Sequence, residues 1–187
     1  MTKRIFDLIL SFICVIIFTP IFIIISILLK VSSKGSIIYW SRRVGLNNKI
    51  FFMPKFRSMN IDTKETSTAN LKDPHNQITY IGSFIRKYSI DELPQLWSVL
   101  KGDMSIVGPR PLLISEDDIL TMRANKEINS IKPGITGWAQ VNGRDNISNQ
   151  RKVELDLEYK EKQSIFFDCL IILYTIRILM LRTDISH

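Results

Sequence analysis

The hydrophobic and polar positions along this chain fall into three regimes. Between Ile5 and Leu29 the only charged residue is Asp7. The uncharged stretch 8–29 makes roughly 33 Å of helix at 1.5 Å per residue, enough to cross the hydrocarbon of a bilayer. From Gly35 onward apolar residues come in short runs broken by polar ones. The stretch 164–181 is apolar on most sides again, but Asp168, Thr175 and Arg177 interrupt it and Arg182 follows, which leaves it too short and too charged to span.

Within the middle regime, β-prone runs at 36–40 and 49–56 flank the turn formers Gly45, Asn47 and Asn48 and predict a small hairpin or irregular sheet. The polar stretch 60–76 has no periodicity and reads as a loop, and 78–88 resumes apolar spacing. Leu93, Leu96, Trp97 and Leu100 follow an i, i+3, i+4, i+7 pattern, which predicts an amphipathic helix with that side to the core and its end at Gly102. Gly108-Pro-Arg-Pro111 reads as a rigid extended loop, 115–129 as a polar helix, 132–144 as a glycine-containing loop, and 151–162 as a charged helix. The expected fold is mixed α/β and mainly helical. It comprises a membrane helix over 1–34, a small cytosolic domain with short strands over 35–163, and an amphipathic helix over 164–187.

Two details favour a membrane segment that turns back over one that crosses. Pro20 lacks an amide proton near the middle of the run, so a break is expected there, with the hydroxyls of Thr19 and Ser26 as donors for part of the freed carbonyls. Lys3 and Arg4 precede the run while Lys30, Lys34, Arg42 and Arg43 follow it, so both flanks carry the charge that favours the cytoplasmic side. A kinked span is the competing arrangement. A cleaved leader fits poorly, since the run is long and no small-x-small site follows it. The 164–187 helix is expected against the headgroup boundary or the re-entrant helix, with a buried core helix as the alternative.

Length and charge refine this picture only a little. The 187 residues suit one domain with appendages, and 25 Lys and Arg against 18 Asp and Glu give a net charge of +7, which suits an anionic partner. Cys14 and Cys169 lack metal-ligand or disulfide spacing, and His75 and His187 are isolated, so no zinc site is expected.

The chemistry concentrates at Ser89-Ile-Asp-Glu-Leu-Pro-Gln-Leu96, where Asp91 and Glu92 stand at the start of the predicted helix. The helix dipole favours ionised carboxylates and phosphate there, and an ionised Asp is a competent nucleophile toward phosphorus. The competing reading is structural, because Ser89-x-x-Glu92 is also a capping-box pattern. Surrounding cations weigh against it: Lys55 and Arg57 alternate on one face of a strand, Arg86 lies just upstream, Arg110 is fixed between two prolines, and Arg144 lies in a glycine-containing loop. Arg110 has little freedom to lose on binding a diphosphate. Mg²⁺ is the metal such chemistry wants, held by Asp91 and Glu92, since it needs only one or two protein carboxylates beside substrate phosphates.

These residues carry a resemblance that runs nearly end to end. Lys3-Arg4-x-x-Asp7 with Pro20, Lys55-Phe-Arg-Ser-Met59, Arg86, Asp91-Glu-Leu-Pro-Gln-Leu96, Lys101-Gly-Asp-Met-Ser105, Gly108-Pro-Arg-Pro111, Pro133-Gly-Ile-Thr-Gly137 and Gln140-Val-Asn-Gly-Arg144 occur in order. The chain resembles the bacterial sugar transferases, in their small monotopic phosphoglycosyl transferase form. That resemblance implies a re-entrant helix in the bacterial inner membrane, a cytoplasmic active site, Mg²⁺ dependence, a UDP-sugar donor and a polyprenyl phosphate acceptor. It implies a covalent phosphosugar on Asp91, an assisting Glu92, and phosphate contacts from Arg86, Arg110 and Arg144 with Lys55 and Arg57 nearby. A nucleotide or nucleic-acid binding module is disfavoured, because the aromatics do not interleave with the basic residues. A hydrolase would leave the membrane segment with little purpose.

Overall fold

In the computed structural model, residues 1–32, 34–60, 77–143 and 146–181 are described. The apolar run folds as one α-helix, α1 (Thr2–Ser32), with Pro20 inside it. The expected break at Pro20 therefore does not appear as an interruption of helical conformation. The Thr19 hydroxyl donates to Val15 O at 2.7 Å, one residue before the carbonyl that Pro20 leaves without its helical donor.

One face of α1 packs along the globular part over its whole length. Leu10, Cys14 and Val15 join a cluster containing Phe51, Met53, Leu96, Val99 and Ile171, and Ile21, Phe22, Ile25 and Leu29 join a second one with Phe56 and Ile85. The opposite face leaves Phe12, Ile16, Ile17, Ile23, Ile24 and Ile27 exposed. So many exposed large apolar side chains on one helix mark a surface built for an apolar environment.

The predicted hairpin is present. β1 (Ile38–Val44) and β2 (Ile50–Phe56) pair antiparallel from Ile38↔Phe56 to Val44↔Ile50, and Asn47 and Asn48 take the left-handed conformation in the turn. β1 extends beyond the predicted run to Val44, paired with β2 throughout, and Arg43 and Val44 also pair with β4 (Leu112–Leu113). Helix α2 (Tyr80–Lys87) follows, capped by the Thr79 hydroxyl, which accepts from Gly82 N. Helix α3 (Gln95–Lys101) ends at Gly102, whose φ is 104°.

The core face of α3 differs from the expected one. It buries Gln95, Leu96, Ser98 and Val99, while Trp97 is 58% exposed. Leu93 and Pro94 belong to a preceding turn, so the spacing counted from Leu93 does not continue as one α-helical stripe.

The stretch 132–144, read from the sequence as a glycine-containing loop without helical spacing, holds β5 (Gly134–Thr136), which pairs parallel with β3 (Ser105–Val107), and a short helix α5 (Trp138–Val141). The polar helix is α4 (Asp117–Asn125), the charged one α6 (Asn149–Lys162), and the last apolar stretch is α7 (Ile165–Leu181). α7 buries Asp168 and Ile171 and exposes Phe166, Leu173, Ile176 and Met180. The 60–76 loop, apart from Asn60, lies outside the described residues, as do His75, Arg144, Arg182 and His187.

The β3–β5 junction needs glycine. A methyl group on Gly134 would stand 2.1 Å from Gly108 N and 2.4 Å from Thr136 O, both backbone atoms that cannot give way cheaply. Gly134→Ala is expected to cost at least about 1–3 kcal/mol of stability, the usual penalty of overpacking. Thermal unfolding in detergent checks this, and an unchanged melting temperature would contradict it.

Candidate active site

Asp91 and Glu92 lie in a 3₁₀ turn, Ile90–Glu92, between α2 and α3. The chain leaves α2 through Ser89, whose φ of 53° and ψ of 22° are left-handed, a conformation that costs a residue with a Cβ about 1–2 kcal/mol. An N-cap needs an extended backbone, and the Ser89 hydroxyl makes no capping bond. The capping-box reading is thus not what the fold uses. The pair also precedes α3 by a turn instead of occupying its first turn, with Pro94 at the α3 cap position.

The two carboxylates have different surroundings. Glu92 Oε1 is 2.8 Å from Lys55 Nζ, with both side chains largely shielded from water. Asp91 is 9% exposed. Lys55 reaches Glu92 because β2 packs on this turn, and its register against Tyr39 fixes the height at which its side chain emerges. Arg57 lies two residues further, buried, with its amide bonded to Ile37 O at 2.9 Å. Arg86 is in the last turn of α2, and its carbonyl accepts from Ser89 N at the entrance to the carboxylate turn. Among the described residues no three His, Cys, Asp or Glu side chains form a metal cage. Two adjacent carboxylates nevertheless match a Mg²⁺ that keeps waters and takes its other ligands from substrate phosphates.

Arg110 stands elsewhere. It lines a cleft with Arg123, Gln140, Asn149 and Lys152 that contains neither carboxylate. In the hairpin register Arg43, which donates to Pro111 O, is four residues from Tyr39, roughly 14 Å along the strand. Arg144 lies outside the described residues.

A network beneath the turn was only partly visible in the sequence. Arg4 donates from Nη1 to Val99 O at 2.6 Å and from Nη2 to Leu100 O at 2.8 Å, which ties α1 to the C-terminal end of α3. Asp7 accepts from Ser105 Oγ at 2.9 Å and from Ile106 N at 3.1 Å. Asp168, fully buried, is 2.6 Å from Lys3 Nζ and 2.7 Å from the Tyr159 hydroxyl. Burial pushes the Tyr159 phenol up, so it remains a proton donor. The signal for Asp168 is the one that marks Asp7: each is the acid within its apolar run, a placement that needs a buried partner.

Comparison with known proteins supplies the class. Residues 1–182 match the family model described as bacterial sugar transferase, and the chain belongs to that family. Among individual relatives, it is 42% identical over 188 residues to a sugar transferase of Bacillus subtilis, named EpsL and uncharacterized, covering 99% of this chain and 90% of that one. It is 36% identical over 193 residues to the exopolysaccharide production protein ExoY of Rhizobium meliloti, covering 94% and 84%. The UDP-glucose:undecaprenyl-phosphate glucose-1-phosphate transferase of Escherichia coli is 37% identical over 183 residues, which are 93% of this chain but 39% of that protein.

Proposed function

We propose that this chain transfers a sugar 1-phosphate from a UDP-sugar to undecaprenyl phosphate at the cytoplasmic face of the inner membrane. The observation that carries the proposal is the unequal carboxylate pair, Asp91 buried and Glu92 held by Lys55, in a chain whose relatives bear names of this chemistry. An Oδ of Asp91 attacks the sugar-bearing phosphorus of the donor. The bond from that phosphorus to the bridging oxygen breaks, and UMP leaves with the oxygen. A phosphate oxygen of the lipid then attacks the same phosphorus, the Asp91–phosphorus bond breaks, and polyprenyl diphosphosugar forms as the carboxylate is regenerated. Glu92, oriented by Lys55, and Asp91 would hold Mg²⁺, which when bound supplies charge neutralisation of the donor diphosphate. In this reading Arg86, in the last turn of α2, and Arg57, just past β2, supply guanidinium donors to the phosphate oxygens.

The re-entrant arrangement of α1 belongs to this proposal. Its support is that Arg4 and Asp7 at one end and Ile25 and Leu29 at the other all pack on the same globular body. A helix that crossed the bilayer would carry its two ends to opposite faces, and only one could reach that body.

The test is to incubate the purified protein with Mg²⁺, undecaprenyl phosphate and a panel of UDP-sugars including UDP-glucose, and to measure UMP. Lipid-dependent release is expected. Release that ignores the lipid would replace the transferase with a hydrolase, and no release with any donor of the panel would favour a binding protein.

A further inference from the structure

The N-terminal end of α1 meets the C-terminal end of α3 at a notch framed by two cations. Arg4 commits one N–H of Nη1 to Val99 O and one of Nη2 to Leu100 O, and three of its five N–H groups remain. Gly102 follows α3, and its missing side chain opens the notch. Beyond the adjoining residues, the nearest atoms to the point where a Cβ would stand are Arg4 Nη2 at 3.4 Å, with Arg4 Cζ and Lys132 Nζ both at 3.8 Å. An oxygen placed near that point lies beside both cationic nitrogens, and the flexible stem of Lys132 can close the remaining gap.

The acids that could neutralise this pair are engaged elsewhere. Asp7 accepts from Ser105 Oγ and Ile106 N, and Asp103 Oδ2 is 2.9 Å from Lys101 Nζ. Among the described residues Arg4 makes no ion pair, and the half-buried Lys132 makes neither a hydrogen bond nor an ion pair. Burial and the Arg4 charge push the Lys132 ammonium down, and Asp7 and Asp103 pull it only partly back. A half-buried lysine held without a partner beside a second cation is an unfavourable arrangement that a bound anion relieves.

Depth identifies the anion. Arg4 is the last basic residue before the apolar run, and Ile5, Ile9 and Phe12 just beyond it are exposed. The notch therefore stands where hydrocarbon gives way to headgroups, the level of a phospholipid phosphate. The carboxylate turn precedes the other end of α3, roughly 10 Å away along seven residues, which separates the notch from an acceptor phosphate that must reach Asp91.

We propose that Arg4 and Lys132, on either side of the Gly102 notch, bind the phosphate of an anionic phospholipid, which clamps the N-terminal end of α1 to α3 and takes no part in the transfer. A free phosphate ion is the other source of the same chemistry. The site goes beyond the transferase reading and requires only that α1 lies in a membrane.

The experiment follows thermal unfolding of the full-length protein in a maltoside detergent while short-chain phosphatidylglycerol is titrated in, with inorganic phosphate titrated in parallel. Wild type, Lys132→Gln, Lys132→Arg and Lys30→Gln, at the other flank of α1, are compared. Wild type is expected to show a saturable rise in melting temperature with the lipid, and the absence of one overturns the site. Lys132→Gln should move the midpoint of that rise roughly tenfold higher in lipid concentration, the effect of losing one charged hydrogen bond. Lys132→Arg and Lys30→Gln should titrate as wild type. Without lipid, Lys132→Gln should be no less stable than wild type, since it removes an unpaired, half-buried charge. A clear loss of stability there would mean that Lys132 serves Asp7 and Asp103 instead, and would overturn the site. An unmoved midpoint in Lys132→Gln overturns it also, as does an equal shift in Lys30→Gln, which marks diffuse attraction to the whole flank. If phosphate alone reproduces the rise with the same dependence on Lys132, the lipid is replaced by a free anion. A raised KM for polyprenyl phosphate in Lys132→Gln would assign the notch to the acceptor and end the proposal.

Discussion

Asp91→Asn is expected to lower lipid-dependent UMP release by more than about 10³-fold, because losing a covalent nucleophile removes the route itself instead of weakening one contact along it. The amide is nearly isosteric with the carboxylate, so the turn at Ile90–Glu92 and the Lys55–Glu92 pair should survive and the melting temperature should stay close to wild type. Glu92→Gln is expected to be milder, since Glu92 assists at a distance from the bond being formed. Mass spectrometry of wild type quenched with donor and without acceptor should find a phosphosugar adduct on the peptide containing Asp91. Turnover of Asp91→Asn within tenfold of wild type would eliminate covalent catalysis at this residue, as would an adduct on another peptide.

Asp168→Ala carries the largest expected effect on stability. Asp168 is fully buried and joins Lys3 of α1 to Tyr159 of α6, whose hydroxyl is also 2.9 Å from Val107 O of β3. Truncation leaves Lys3 without its close partner and Tyr159 with one acceptor fewer, and removing one member of a buried pair costs about 3–5 kcal/mol. Unfolding in detergent, followed by loss of tyrosine and tryptophan signal, should shift strongly, and limited proteolysis should release the α1 end first. Asp168→Asn keeps an acceptor for Tyr159 and should lose less. A midpoint for Asp168→Ala equal to wild type would show that α1 is docked by its apolar face alone.

Much of this architecture was legible because it is written locally. The membrane run, the hairpin with left-handed Asn47 and Asn48, the stop at Gly102 and the rigidity around Arg110 follow from hydropathy and from the steric properties of Asn, Gly and Pro. The core face of α3 differs from the expected one because the periodicity starts at Leu93, in the turn that precedes the helix. The capping box failed because Ser89 adopts a conformation that its neighbours impose and its own side chain does not favour. Strands β3 and β5 are three residues each, too short for alternation to register, and they exist because two glycines let their backbones approach.

The sequence by itself determined which segment seeks an apolar environment, which residue types could attack or bind phosphate, and which family the motifs resemble. Only the tertiary structure decided which charges meet. Lys55 takes Glu92, 37 positions away; Asp7 takes Ser105, 98 away; Lys3 takes Asp168, 165 away; and Arg123 reaches back to the Arg110 carbonyl. The reason is range. Hydropathy and backbone sterics act over one or two turns of chain, whereas an ion pair depends on the few ångströms left between remote elements once their apolar faces have packed.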